Sequence, residues 1–164
     1  MAGGTTGDAS RAGGRAVRAE RRIEAARGYL ALDMPDHALR ELAAVGEPHR
    51  HRFDLARLRG DALRQQRRFG DAAAAYTRAL AERPDSLPAL MGVASCYRQL
   101  GQLGRAVAAM EEANRLHPNE PAVLFTLSRL YALNGEVPRS LGWLGRAVRL
   151  CPEIAACAER EADF

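Results

Sequence analysis

The chain repeats itself every 34 residues. Pro84, Pro118 and Pro152 stand at that interval, and laying the chain on itself at the same offset aligns whole columns. Ala38, Ala72, Ala106 and Ser140 form one column; Leu42, Tyr76, Met110 and Leu144 form another. Val45, Ala79, Ala113 and Ala147 form a third, Tyr29, Leu63, Tyr97 and Tyr131 a fourth, and Ala26, Gly60, Ala94 and Ser128 a fifth. A fixed period of this length describes a stack of like units, each burying its apolar face against its neighbours, in place of one globule around one pocket. A stack offers extended surface, so binding is the expected job and catalysis is not.

Each copy reads as two helices, from apolar residues spaced three and four apart. In residues 87–120, Leu90, Val93, Ala94, Tyr97 and Leu100 share one face of a first helix, which Gly101 ends. Leu103, Ala106, Val107, Met110 and Ala113 mark a second, and His117-Pro118-Asn119 stops it, because proline cannot continue a helix and restricts the residue before it. The small columns let helix backbones approach closely, so a large side chain at Gly60 would wedge two helices apart. Asp33-Met34-Pro35 reads as a capping aspartate before a helix-starting proline, and Glu136-Val137-Pro138 repeats the proline arrangement.

This order of small, aromatic and proline positions resembles the tetratricopeptide repeat. Residues 53–86 carry it on Gly60, Ala72, Tyr76, Ala79, Leu80 and Pro84; 87–120 on Ala94, Tyr97, Gly101, Ala106, Ala113 and Pro118; 121–154 on Leu127, Ser128, Tyr131, Gly135, Ala147 and Pro152. Residues 19–52 form a degenerate first copy, with Ala26, Tyr29, Ala38 and Leu42 in place but Arg50 where a proline would stand. The resemblance implies an all-α, right-handed solenoid of about four helix pairs. It implies a non-enzymatic scaffold or adaptor whose concave groove, lined by the first helix of each pair, holds a peptide or partner surface. A fold of this kind serves many functions, so the partner does not follow from it. Small relatives that act as secretion chaperones give an alternative, and self-assembly through an exposed solenoid end gives another.

Composition narrows the rest. The 164 residues carry 24 basic side chains, all arginine, against 20 acidic ones, a net charge of +4. The acids are interspersed and no aromatics stand ready on a basic face to stack bases, which argues against nucleic acid. No apolar run approaches the about 20 residues of a membrane span, and the N-terminus lacks the apolar stretch of a secretory leader. Of three cysteines, Cys96 reads as a buried small hydrophobe, while Cys151 and Cys157 flank the end of the last copy. Free thiols suit a reducing, cytoplasmic setting. No cofactor or metal is expected: no CxxC occurs, the four histidines are scattered, and no P-loop, GxSxG, HExxH or GxGxxG is present.

The ends read differently from the middle. Residues 1–18 are glycine-rich with few large apolar side chains, and read as a disordered arm. Residues 155–164 read as a partial capping helix, with Trp143 expected to pack against it.

The resemblance places the groove on the first helices, and the spacing selects the side chains opposite the packed stripe. These are Arg27; Arg57, Asp61, Arg64 and Arg68; Met91, Ser95 and Arg98; and Phe125 and Arg129. Residues 49–83 hold nine arginines against four acids. Arginine reads carboxylate or phosphate through two parallel hydrogen bonds, so an acidic peptide is the sharp expectation. The plain alternative is that these arginines solvate a helical face and pair with local acids, as Asp61 with Arg57 and Arg64. Family members that clamp a chaperone's free C-terminal carboxylate use a lysine and two asparagines; the matching places here hold Arg27, Ile23, Asp61 and Arg57, so that mode is not expected.

Overall fold

The structure, a computed structural model, describes residues 6–46 and 49–158, with side chains from Gly13 to Gly46 and from Arg50 to Ala155. Among these the chain forms nine α-helices, one short 3-10 turn at His49–His51, and no strand. The helices are α1 (Thr6–Ala31), α2 (Pro35–Val45), α3 (Arg52–Gln65), α4 (Phe69–Glu82), α5 (Leu87–Gln99), α6 (Leu103–Leu116), α7 (Pro121–Leu133), α8 (Val137–Leu150) and α9 (Glu153–Ala158). Each odd-numbered helix through α7 packs on the even one after it, and each even one on the next odd one. The result is an all-α solenoid of helix pairs in which α1 also touches α3, and α3 touches α5.

The core is divided as a stack requires. Ile23, Ala26, Leu42, Leu55 and Leu58 join α1, α2 and α3. Ala72, Tyr76, Ala79, Ala89 and Val93 join α4 and α5, with Phe53 and Leu63 of α3 packed against them. Leu90, Met110, Val123, Leu127 and Tyr131 join α5, α6 and α7. The small columns lie at the closest approaches: Ala38, Ala72 and Ala106 are wholly buried, as are Ala79, Ala113 and Ala147. Ser128 tolerates burial because its Oγ donates to the Phe125 carbonyl at 2.7 Å.

The turn inside each pair has one geometry. Asp33, Arg67, Gly101 and Gly135, 34 residues apart, all have left-handed backbones, with φ of 54°, 59°, 71° and 77°. Glycine meets that demand without strain; the aspartate and arginine meet it against a Cβ penalty. Asp33 is therefore a turn residue. The N-cap of α2 is Met34, which has no side-chain cap, and the capping expectation for Asp33 fails because the turn needs its backbone left-handed. Pro35 and Pro138 do start their helices. Ser86 caps α5, accepting from the Ala89 N–H at 3.4 Å.

The N-terminus departs from expectation. Helix α1 begins at Thr6, inside the segment read as an unordered arm. Alanine and arginine are strong helix formers and extend the amphipathic stretch upstream past Gly13 and Gly14. Residues 1–5 of that arm lie outside the described residues. At the other end α9 follows α8 for six residues, and 159–164 of the expected cap lie outside the described residues. Trp143 packs against the α5–α7 core cluster, with the Arg146 guanidinium 4.7 Å from its ring, because its position on α8 faces back into the stack.

Candidate interaction site: a trough along the third helix

Three depressions meet on one face of α3. The first lies between α1 and α3 and is lined by Arg27, Leu30, Arg57, Asp61, Arg64 and Gln65. The second lies between α3 and α5 and shares Asp61 and Arg64, adding Tyr76, Pro88, Met91, Gly92 and Ser95. The third, at the α4–α5 loop, shares Arg57 and Pro88 and adds Phe53, Asp54, Arg83 and Asp85. Their volumes are about 370, 230 and 630 Å³. Shared walls make them one continuous trough, and six of the sequence-derived site residues, Arg27, Arg57, Asp61, Arg64, Met91 and Ser95, line it.

The floor of the trough depends on Tyr76. This side chain starts on α4, passes between α3 and α5, and delivers its hydroxyl to the open face. Two glycines make the passage. A Cβ on Gly60 would stand 2.8 Å from the ring, and one on Gly92 would stand 2.5 Å from it. Carbon contacts are comfortable at 3.5–4.0 Å, so neither position has room even for alanine. At the trough the Tyr76 hydroxyl donates to Asp61 Oδ1 at 2.6 Å and accepts from Arg64 Nε at 3.3 Å. The second oxygen of Asp61 takes Arg57 Nη1 at 2.9 Å. Burial, and then the bond to Asp61, hold the tyrosine hydroxyl neutral far above its ordinary range. The Tyr76 bond in turn raises Arg64. Behind this network Cys96 is buried, and burial pushes its thiol up, as in an inert core cysteine.

The arginines of the trough are mostly tied within the fold. Arg27 bonds Glu24 at 3.2 Å and Asp54 of α3 at 3.1 Å. Gln65 Nε2 donates to the Leu30 carbonyl at 2.9 Å, pinning α3 to α1. Arg83 lies 4.3 Å over the Phe53 ring. Four arginines (Arg27, Arg57, Arg64, Arg83) therefore face three aspartates (Asp54, Asp61, Asp85) along the three depressions. The face is mixed in charge. An unbroken basic track is not what the geometry brings together.

The other sequence-derived residues stand apart. Arg68 leaves the groove: α3 ends at Gln65, the left-handed Arg67 reverses the chain, and Arg68 clasps Asp71 through Nε at 2.9 Å and Nη2 at 2.6 Å. Arg98 is half-buried on α5, three residues past Ser95. Phe125 and Arg129 sit together on α7, with the guanidinium 5.9 Å from the ring. Tyr76, which the periodicity assigns to the core, was not foreseen as a trough residue; nor was Gly92, whose register mates Leu58 and Thr126 give no small column. Among the described residues no group of three or more His, Cys, Asp or Glu could hold a metal. Nor is any helix among them long and apolar enough to cross a membrane.

A repeating stack of helix pairs with an open lateral trough defines a helical-repeat interaction scaffold. The tetratricopeptide repeat family model matches residues 24–86, 57–121 and 97–153 in overlapping stretches, and the chain belongs to that family. Among curated proteins none matches this chain. Solved structures share the fold at low identity. One is MamA, at 17% identity and TM-score 0.76, covering 84% of this chain and 81% of that one. Another is a thermophilic tetratricopeptide protein of Thermus thermophilus, TTC0263, at 18% and 0.67, covering 82% and 75%. A third is YrrB, described as a tetratricopeptide protein with an unusual peptide-binding site, at 18% and 0.74, covering 87% and 75%.

Proposed function

We propose that this chain is an adaptor that holds an extended segment of a partner protein in the trough along α3. The observation that carries the reading is the continuity of the three depressions around Arg57, Asp61 and Arg64. A peptide backbone needs donors and acceptors in alternation, and this face supplies both. Pro88 and Met91 add apolar contact on the α5 side. The peptide-binding site named for YrrB supports the class of ligand. Because Arg27 and Arg57 already hold carboxylates, the segment is of mixed polarity with an apolar anchor over Met91, and acidic character is secondary. Its affinity therefore depends only modestly on salt, since few of its contacts are exposed charge pairs that salt can screen.

The test is selection of peptides from a random display library on the folded protein, followed by fluorescence anisotropy. Selected peptides should share an apolar residue at fixed distance from a hydrogen-bonding one. They should lose at least about tenfold in affinity to Met91→Glu, the equivalent of one good contact. Peptides that bind Met91→Glu as tightly as the parent would overturn the proposal.

A further inference from the structure

A second cavity lies on the opposite side of α3 from the trough, between α3 and α4, with a volume of about 260 Å³. A water molecule occupies about 30 Å³ of liquid, so this space accommodates a side chain. Its walls are Leu55, Ala56 and Ala75, and its rim carries Arg52, Arg59 and Arg78, with Glu82 the sole carboxylate among the described residues that line it.

The repeat explains why the cavity exists here. In the third and fourth copies the places of Ala56 and Arg59 are taken by Leu90 and Val93, then by Leu124 and Leu127, all buried. The second copy thus has a methyl and a guanidinium where its successors have core side chains. Among the described residues the neighbouring copy also offers a smaller side chain at the register position that follows. Leu80 of α4 packs against two core clusters, but its register mate in the first copy is Gly46, where α2 has already ended. The first copy fills the same place from within: Arg22 Nη1 bonds Glu41 Oε2 at 2.9 Å between α1 and α2. The positions matching that ion pair in the second copy are Ala56 and Ala75. An Arg–Glu pair is replaced by two alanines, while three arginines ring the space left.

We infer that this notch is a second binding site, which receives a glutamate side chain from a partner protein docked on this face. The methylenes of the glutamate lie along Leu55, Ala56 and Ala75, and its carboxylate meets the guanidinium groups at the rim. Arg52 is already within 3.8 Å of Glu82, so the incoming carboxylate joins a charge cluster that orients the rim. Among the described residues Arg78 has no ion-pair partner and is placed to take it. Guanidinium groups bind planar carboxylates through paired, charge-assisted hydrogen bonds, which gives the site both its charge preference and its geometry.

The probe is acetyl-Ala-Glu-Ala-amide, titrated at constant ionic strength into isotope-labelled protein and followed by the backbone amide signals of Ala56 and Ala75. Saturable shifts at those signals are expected, with none from the glutamine analogue of the peptide. Arg59→Gln/Arg78→Gln should weaken the effect at least about tenfold, the usual loss for a charged hydrogen bond. Ala75→Glu places a carboxylate in the notch at the register position of Glu41. It should fold, melt no lower than the parent, and abolish the titration. Equal shifts from the glutamine peptide, or an unchanged titration in Ala75→Glu, would refute the site. Saturation by inorganic phosphate at lower concentration than the glutamate peptide would overturn the carboxylate assignment.

Discussion

Replacing Gly92 by alanine probes the passage of Tyr76 between α3 and α5. The added Cβ would stand 2.5, 2.6 and 2.8 Å from three ring carbons. The ring has little room to retreat, because Gly60 approaches it so closely that a Cβ there too would stand 2.8 Å from it. The two helices must therefore part, and overpacking of this kind costs about 1–3 kcal/mol. Three simultaneous contacts place the cost near the upper end, about 3 kcal/mol. Alanine returns about 1 kcal/mol in helix propensity over glycine. The net is a loss of about 2 kcal/mol, or about 4–8 °C in melting temperature for a chain of this size. The control reverses the sign. Met110 fills the Tyr76 column in the next copy and is fully buried, so Tyr76→Met keeps a core side chain while removing the rigid ring. In that background Gly92→Ala should stabilise by up to about 1 kcal/mol, leaving only the propensity gain. Urea denaturation of the four proteins, followed by far-UV circular dichroism, closes the cycle and isolates the coupling. Stabilisation by Gly92→Ala in both backgrounds, or equal destabilisation in both, would refute the wedge.

Further predictions concern the same elements. Tyr76→Phe should flatten the loss of stability between about pH 10 and 11.5: unfolded tyrosine ionises near pH 10 while the native hydroxyl stays protonated, so stability is fully present below pH 10 and falls above it by up to about 1.4 kcal/mol per pH unit for one such group. Tyr131, raised by burial and by its bond to Glu111, adds a decline of the same sign that the variant keeps. Denaturant titrations at several alkaline pH values check the difference, and identical slopes would contradict it. Leu127→Ala, at a wholly buried site joining α5 and α7, should cost about 2–5 kcal/mol in the same assay. Arg68→Ala should leave the affinity of a selected peptide unchanged in anisotropy, because this side chain clasps Asp71 outside the trough.

The fold was legible because the stack writes its packing into columns. Each small column marks a helix approach, and a unit that meets only its neighbours must repeat the same solution. The turns were partly legible: Gly101 and Gly135 announce a left-handed residue, whereas Asp33 and Arg67 adopt it without the signature. That hidden turn is why spacing alone puts Arg68 in the groove, since a helix continued past Gln65 would carry it there. The candidate site was legible only as a face. Periodicity finds which side chains point to it, but the Asp61–Tyr76–Arg64 network joins a first-helix carboxylate to a second-helix hydroxyl through two glycines. Gly92 belongs to no column, so nothing periodic marks it. The mixed charge of the face was hidden for a related reason. Arg27 meets Asp54 across helices, a contact that spacing within one helix does not contain. Arg57 and Asp61, four residues apart, were readable as a pair from spacing alone, and they are one.

The most direct test of the trough as the binding surface is the dissociation constant of a display-selected peptide for the parent and for Ser95→Trp. Ser95 is half-buried on the wall between α3 and α5, and an indole there fills the depression without entering the core. The account predicts a folded variant, by circular dichroism, that binds at least about tenfold more weakly, a loss of about 1.4 kcal/mol. Unchanged affinity in a folded Ser95→Trp would contradict the account and move the site off this face.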